Sequence, residues 1–243
     1  MRVFDRDIRR IVLAPFCARH YRAVIAMASL CCSPFEFVDT LLRYLFASGK
    51  YPHRLRLKTD LGIVEPKLYS YHDLLTVNEV FFRQDYNVKK DIRVVIDIGS
   101  NIGISALYFL TRNEDVFCYL YEPVPENIAK LQDNLSQFSG RFELRPVAVA
   151  GTHGRRSFGI EPTGRYGGLD RPTGRTIEVE TVGIADLLAE KLRQHGTIDV
   201  LKIDTEGSEQ EIIEAIPREL FPRIRRVFYE SNDGRVRCLI NDA

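Results

Sequence analysis

The stretch Arg93-Val94-Val95-Ile96-Asp97-Ile98-Gly99-Ser100-Asn101-Ile102-Gly103 decides the fold. Its first half, Arg93 to Ile98, is a short apolar, β-branched run, the pattern of a strand buried on both faces of a parallel sheet. Its second half sets glycines at 99 and 103, where the strand pattern gives way to helical spacing from Gly103 to Thr111. Glycine lets the backbone turn sharply there and approach a ligand without a Cβ collision. A dinucleotide fingerprint would read G-x-G-x-x-G. This loop reads G-x-x-x-G, and its acidic residue, Asp97, precedes the glycines, so a pyrophosphate site is weakly supported.

Downstream, strand and helix patterns alternate. Val116 to Tyr121 reads as a strand, and Pro125 to Phe138 as a helix with proline near its start. Phe142 to Val149 is extended, and Arg156 to Val182 holds short strands around a loop rich in Gly, Pro and Arg. Then follow a helix from Ala185 to Gln194, a strand from Ile198 to Ile203, a helix from Ser208 to Ile216 and a strand from Arg226 to Tyr229. Such alternation predicts an α/β fold with a Rossmann-like, doubly wound, mostly parallel sheet and right-handed crossovers. Upstream, residues 1–50 read as a helical N-terminal extension, with i, i+3, i+4 spacing from Phe35 to Phe46. Arg54 to Thr59, the turn Asp60-Leu61-Gly62 and Ile63 onward suggest a hairpin, and Asp73 to Phe82 a helix. The division expected is 1–50 for the extension and 51–243 for the main domain, with its core at 91–232.

Composition excludes several classes. The chain has 243 residues, 45% hydrophobic and 28% charged, which is ordinary for a folded protein and unlike a disordered one. A net charge of +1 gives no overall field for nucleic acid, and no nucleic-acid partner is expected. Charge is locally uneven. Arg2, Arg6, Arg9, Arg10, Arg19 and Arg22 face only Asp5 and Asp7 in the first 22 residues, and Arg155, Arg156, Arg165, Arg171 and Arg175 cluster against Glu161 and Asp170. Both read as solvated surfaces, or more sharply as contacts with an anionic membrane and with an acceptor. The five cysteines, Cys17, Cys31, Cys32, Cys118 and Cys238, show no metal-ligand spacing and read as reduced, buried thiols. The longest apolar run, Ala23 to Phe35, is too short to span a bilayer. It passes into an amphipathic helix rather than ending as a signal peptide would. A cytoplasmic protein is expected, with peripheral attachment at the inner face of the membrane as an option beside it.

The chemistry lies at the strand ends. Glu122 closes the strand after the glycine loop, about twenty residues on, the separation expected within one βαβ unit. A carboxylate there suits the two hydroxyls of a ribose. S-adenosyl-L-methionine (SAM) presents such a diol together with a zwitterionic end and no phosphate, which matches this loop better than a dinucleotide. Farther on, Asp204, Glu206 and Glu209 follow the strand Ile198–Ile203, at the edge where open α/β sheets bind ligands. Ser208 could cap the following helix, with Glu209 and Glu211 serving its positive end. That leaves Asp204 unexplained, and Glu230 ends the next strand in a comparable place.

The combination IDIGSNIG, YEP, LKIDTEGSE and FYES, with YSYHDLLTVNEVFFRQDY upstream, resembles the FkbM family of SAM-dependent methyltransferases over roughly residues 51–232. LKIDTEGSE is its most specific piece. The resemblance implies a class I methyltransferase fold and O-methylation, often of a sugar or glycolipid acceptor. It implies that Asp97, Gly99, Asn101 and Gly103 wrap the methionine end of SAM, that Glu122 binds the ribose, and that Asp204 lies beside the reacting centre. A hydroxyl is a poor nucleophile, so a general base or a metal is expected to help. Asp204, Glu230, His72 and Glu206 are the candidates, with Mg²⁺ on Asp204 and Glu230 as the metal version. His72, next to Asp73, also reads as a structural histidine. A side chain at Gly99 is expected to occupy ligand space. Since few residues follow Glu230, the sheet is expected to be closed by N-terminal strands or shortened. The competing functions are a nucleic-acid or protein methyltransferase, and a shortened, non-catalytic scaffold of the same fold.

Overall fold

The computed structural model describes residues 2–3, 6–7, 18–161, 167–171, 174–231 and 235–240. The chain divides into two compact units, residues 1–87 and 88–243.

The second unit is built on a six-stranded sheet. Its strands are β1 (Val94–Ile98), β2 (Phe117–Tyr121), β3 (Phe142–Arg145), β8 (Ile198–Ile203), β9 (Ile224–Ser231) and β10 (Arg235–Ile240). They lie in the order β10-β9-β8-β1-β2-β3. All pairs are parallel except β9 with β10. The chain winds from β1 through β2 to β3 on one side and from β8 to β9 on the other. The order therefore reverses between β1 and β8, where open α/β sheets place their ligand crevice. All of β1 and β8 is buried, the apolar residues together with Asp97, Asp199 and Lys202. Ile96, Ile98, Leu201, Ile203 and Val227 form one core with Ile184, Leu187 and Leu188, which lie on the helix α3 (Ile184–His195). Helix α1 (Ile104–Leu110) buries every residue, consistent with apolar side chains all round it. Helices α2 (Pro125–Asn134) and α4 (Glu209–Glu214) follow β2 and β8.

A second sheet joins β4 (Ala148–Ala150), β7 (Arg175–Gly183), β5 (Gly154–Ile160) and β6 (Gly168–Leu169), in that order. Its main feature is the long antiparallel hairpin of β5 with β7.

The six-stranded sheet is not closed from the N-terminus. Arg2–Val3 and Arg6–Asp7 pair with each other, in a segment read from sequence as helical, and β10 supplies the sixth strand. Arg235 and Arg237 alternating with Val236 and Cys238 is a period-two pattern, short enough to be overlooked at the end of the chain. Cys238 is exposed on this edge strand, against the expectation of buried thiols, whereas Cys31 and Cys118 are buried and Cys32 half-buried. Cys17 lies outside the described residues.

The first unit holds helices Ala18–Leu30 and Pro34–Phe46, two short antiparallel ribbons, and helix Tyr71–Val77, which runs on into a π-turn at Asn78–Phe82. Ser33 caps the second helix, accepting the Glu36 N–H at 3.2 Å. The apolar stripe of this helix is largely solvent-facing: Phe35 is 81% exposed, Val38 49% and Leu42 46%. Among the described residues, no helix is long and apolar enough to cross a membrane.

Candidate active site

The carboxyl ends of β1, β2, β8 and β9 carry the chemistry. The chain leaves β1 at Gly99, whose φ is 75°. Its N–H donates to the Tyr121 carbonyl at 3.0 Å. A Cβ at Gly99 would lie 1.8 Å from the Asp204 carbonyl oxygen. The space beside Gly99 is thus filled by the loop after β8 rather than left for a ligand, and the Asp204 N–H in turn donates to the Ile98 carbonyl at 3.1 Å. The two strand-exit loops are in direct backbone contact. Asn101 has φ 48°, a left-handed conformation that asparagine tolerates better than most residues. Gly103 has φ 85°, and a Cβ there would stand 3.1 Å from Leu131 of α2. Its missing side chain lets α2 approach the start of α1.

Glu122, at the end of β2, is 4% exposed. One oxygen accepts the Asn101 N–H at 2.9 Å. The other accepts the Val124 N–H at 3.0 Å and the Asn127 amide at 3.3 Å. Two carboxylate oxygens offer about four acceptor positions, so these donors leave about one for a ligand hydroxyl. Burial pushes the Glu122 carboxyl above its usual range, while those hydrogen bonds and the Lys202 charge pull it back. Glu122 thereby shapes the glycine loop as well as facing it.

Beneath the loops lies a buried ion pair. Lys202 of β8 is the register partner of Asp97 of β1. Its Nζ stands 2.9 Å from Asp97 Oδ1, 3.1 Å from the Gly99 carbonyl and 3.4 Å from Asp204 Oδ2. The Ser105 hydroxyl donates to Asp97 Oδ2 at 2.6 Å. The Asp97 carboxylate is therefore turned inward and fully buried. Burial acts to lower the Lys202 pKa, but the Asp97 and Asp204 carboxylates outweigh it, and the net shift is upward.

The loop after β8 turns through Glu206 (φ 58°) and Gly207 (φ 123°). Gly207 makes room for the Arg171 guanidinium, whose Nη2 would be 2.5 Å from a Cβ at that position. Ser208 holds the N-cap position of α4 but its side chain makes no capping bond; the Glu209 carboxylate instead ties down the preceding loop, accepting the Thr205 and Gly207 N–H groups at 2.7 and 2.8 Å. Glu211 instead binds the Gly151 N–H and Arg156. Asp204, Glu206 and Glu230 each bring an oxygen within 4.8 Å of the others, all half-buried.

Eight of the nine residues singled out from sequence thus stand at one edge of one sheet. His72 belongs to the first unit, at the start of helix Tyr71–Val77. Asp73 is occupied in capping that helix, accepting the Tyr69 and Ser70 N–H groups. Lys202, Ser105 and Glu209 were not expected as site residues. Lys202 carries a visible signal: a lysine flanked by Leu201 and Ile203 in a buried strand must find a buried anion.

A doubly wound sheet with this strand order, a glycine loop after its first strand and a carboxylate after the next, is a Rossmann-like fold of class I methyltransferase type. Residues 97–235, more than half of the chain, match the methyltransferase FkbM domain, and the chain belongs to that family. Among its relatives, the 31-O-demethyl-FK506 methyltransferase FkbM of Streptomyces tacrolimicus is 28% identical over 174 residues, covering 58% of this chain and 65% of that protein. The 2-O-methyltransferase NoeI of Sinorhizobium fredii is 25% identical over 164 residues, covering 60% and 66%. The chain thus spans just under two thirds of the length of these curated relatives. A solved FkbM methyltransferase from Methylobacillus flagellatus KT aligns with 95% of this chain and 52% of its own, at 14% identity and a TM-score of 0.44.

Proposed function

We propose that this protein transfers the methyl group of SAM to a hydroxyl oxygen of a small acceptor of sugar or glycolipid type. The observation that carries the reading is the backbone contact between the Gly99 loop and the Asp204 loop at the switch point of the sheet, within the stretch that matches the family. The names of both relatives specify methylation at a numbered oxygen, which favours oxygen as the acceptor atom. The left-handed loop at Asn101 and the remaining acceptor capacity of Glu122 suit SAM. Gly99, Asn101 and Gly103 would hold its methionine end and Glu122 its ribose. When bound, SAM supplies an electrophilic methyl group.

The residues of the chain then do the rest. Holding the acceptor oxygen in line is worth about 7–11 kcal/mol in favourable cases. Asp204 accepts the hydrogen bond of the acceptor hydroxyl and orients it. Glu206 or Glu230, each with an oxygen within 4.8 Å of Asp204, takes the proton. A Mg²⁺ ion on Asp204 and Glu230 fits less well, because that ammonium already stands 3.4 Å from Asp204. Activity that survives a chelator supports this scheme, and loss of activity restored by Mg²⁺ would replace it. The acceptor is found by searching cell extract, with and without enzyme and SAM, for products heavier by one methylene; no such product with an enzyme that binds SAM would contradict methyl transfer.

Removing the Glu122 side chain should weaken SAM by about 1.5–3 kcal/mol, the scale of hydrogen bonds to a charged group. In Glu122→Ala the penalty for using a 2′-deoxyribose analogue of SAM should shrink. An equal penalty in mutant and wild type would place the ribose elsewhere. The same variant should also lose stability, because it orphans the Asn101 and Val124 N–H groups.

A peripheral contact with anionic membrane belongs to the same reading if the acceptor is a glycolipid. Its motive is the exposed stripe Phe35, Val38 and Leu42, which follows an arginine-rich segment in the sequence. Phe35→Ser with Leu42→Ser should reduce co-sedimentation with phosphatidylserine vesicles several-fold and leave thermal stability nearly unchanged. Co-sedimentation that ignores both the anionic lipid and the substitutions removes the idea.

A further inference from the structure

Lys202 has more to do than neutralise Asp97. An ammonium offers three hydrogens, and three acceptors stand around this one: Asp97 Oδ1 at 2.9 Å, the Gly99 carbonyl at 3.1 Å and Asp204 Oδ2 at 3.4 Å. The Ile98 carbonyl, at 3.5 Å, lies at the margin. Asp97 is itself pinned by Ser105 from the first turn of α1. A continuous line therefore runs from α1 through Asp97 and Lys202 to Asp204. It is sealed from water at Asp97 and Lys202, whose side chains are 0% and 2% exposed, and opens only at Asp204, 28% exposed. A lysine needed only to balance Asp97 would require neither the Gly99 carbonyl nor a carboxylate at the mouth of the crevice.

We propose that Lys202 is the positioning residue that sets the Asp204 carboxylate against the glycine loop, so that one ammonium fixes the distance between the donor side and the acceptor side of the site. This rests on the methyltransferase reading above. Arginine is a poor substitute, because its planar fork cannot reproduce three divergent bonds from one nitrogen.

Two probes test the proposal without the natural acceptor. S-adenosylhomocysteine lacks the transferable methyl group, and sinefungin carries a charged amine in its place. A well-placed Asp204 should make sinefungin bind the wild type about tenfold more tightly than S-adenosylhomocysteine, a modest value for a close charge pair across an interface. In Asp204→Asn the ratio should fall to about one with S-adenosylhomocysteine affinity unchanged. Lys202→Arg should lose most of the preference in the same way while its S-adenosylhomocysteine affinity stays within about threefold. A preference retained in folded Lys202→Arg overturns the role of Lys202 alone. A wild-type ratio of one overturns the placement of Asp204 and Lys202 with it, and absence of binding by either probe overturns the methyltransferase reading. Should Lys202→Arg fail to fold, the ¹⁵Nζ resonance of Lys202 decides. It should shift on going from wild type to Asp204→Asn, and an unmoved resonance overturns the proposal.

Discussion

Replacing Asp204 by asparagine should lower kcat about 100-fold or more, the scale of acid–base or orienting assistance in the transition state. SAM affinity should change by less than about 1 kcal/mol, since its sulfonium, unlike the amine of sinefungin, has no hydrogen to donate to the carboxylate, and the residue acts on the acceptor side of the methyl group. Asp204 follows β8, its carbonyl touches Gly99, and its carboxylate is the part of the buried ionic line that reaches solvent. Asparagine keeps the shape and one acceptor oxygen but abandons the charge that Lys202 faces. Steady-state kinetics with the identified acceptor, beside calorimetry with SAM, measures both quantities. Near-normal kcat in Asp204→Asn would make the residue structural.

Gly99→Ala should be the most damaging small substitution in the second unit. A non-glycine residue held in the left-handed region costs about 1–2 kcal/mol. The added Cβ must also displace the Asp204 carbonyl, which it would otherwise approach to 1.8 Å. Forcing atoms into a filled space costs about 1–3 kcal/mol more. Together these imply a fall in Tm on the order of 10 °C for a chain of this size. SAM binding should be lost as the two loops separate. Unchanged Tm and SAM affinity would mean that the two loops are not in contact.

Sequence made the second unit legible because its signals are local. The run at Val94–Ile98, the glycines at 99 and 103 and the carboxylate at Glu122 each announce a strand end, a turn or a ligand-facing group by type and spacing alone. What escaped was set by pairing across the sheet. Gly99 reads as space for a ligand until β8 is placed beside β1, whereupon Asp204 occupies that space. Asp97 reads as a ligand-facing acid until its register partner proves to be Lys202. Ser208 sits at the N-cap position as its type suggests, but its side chain makes no capping bond there, and Glu209 holds the loop by the Thr205 and Gly207 N–H groups. In the first unit the periodicity from Phe35 to Phe46 gave the helix but not its exposure, since a 3.6-residue stripe marks an apolar face and not what covers it.

The methyltransferase function stands or falls with SAM binding at the loops of Gly99 and Glu122. Calorimetric titration of SAM into the full chain tests it most directly. One saturable site per chain is expected, displaced by S-adenosylhomocysteine and weakened by Glu122→Ala. A folded protein that gives no saturable heat up to about 1 mM SAM, a free energy weaker than about −4 kcal/mol, would contradict it.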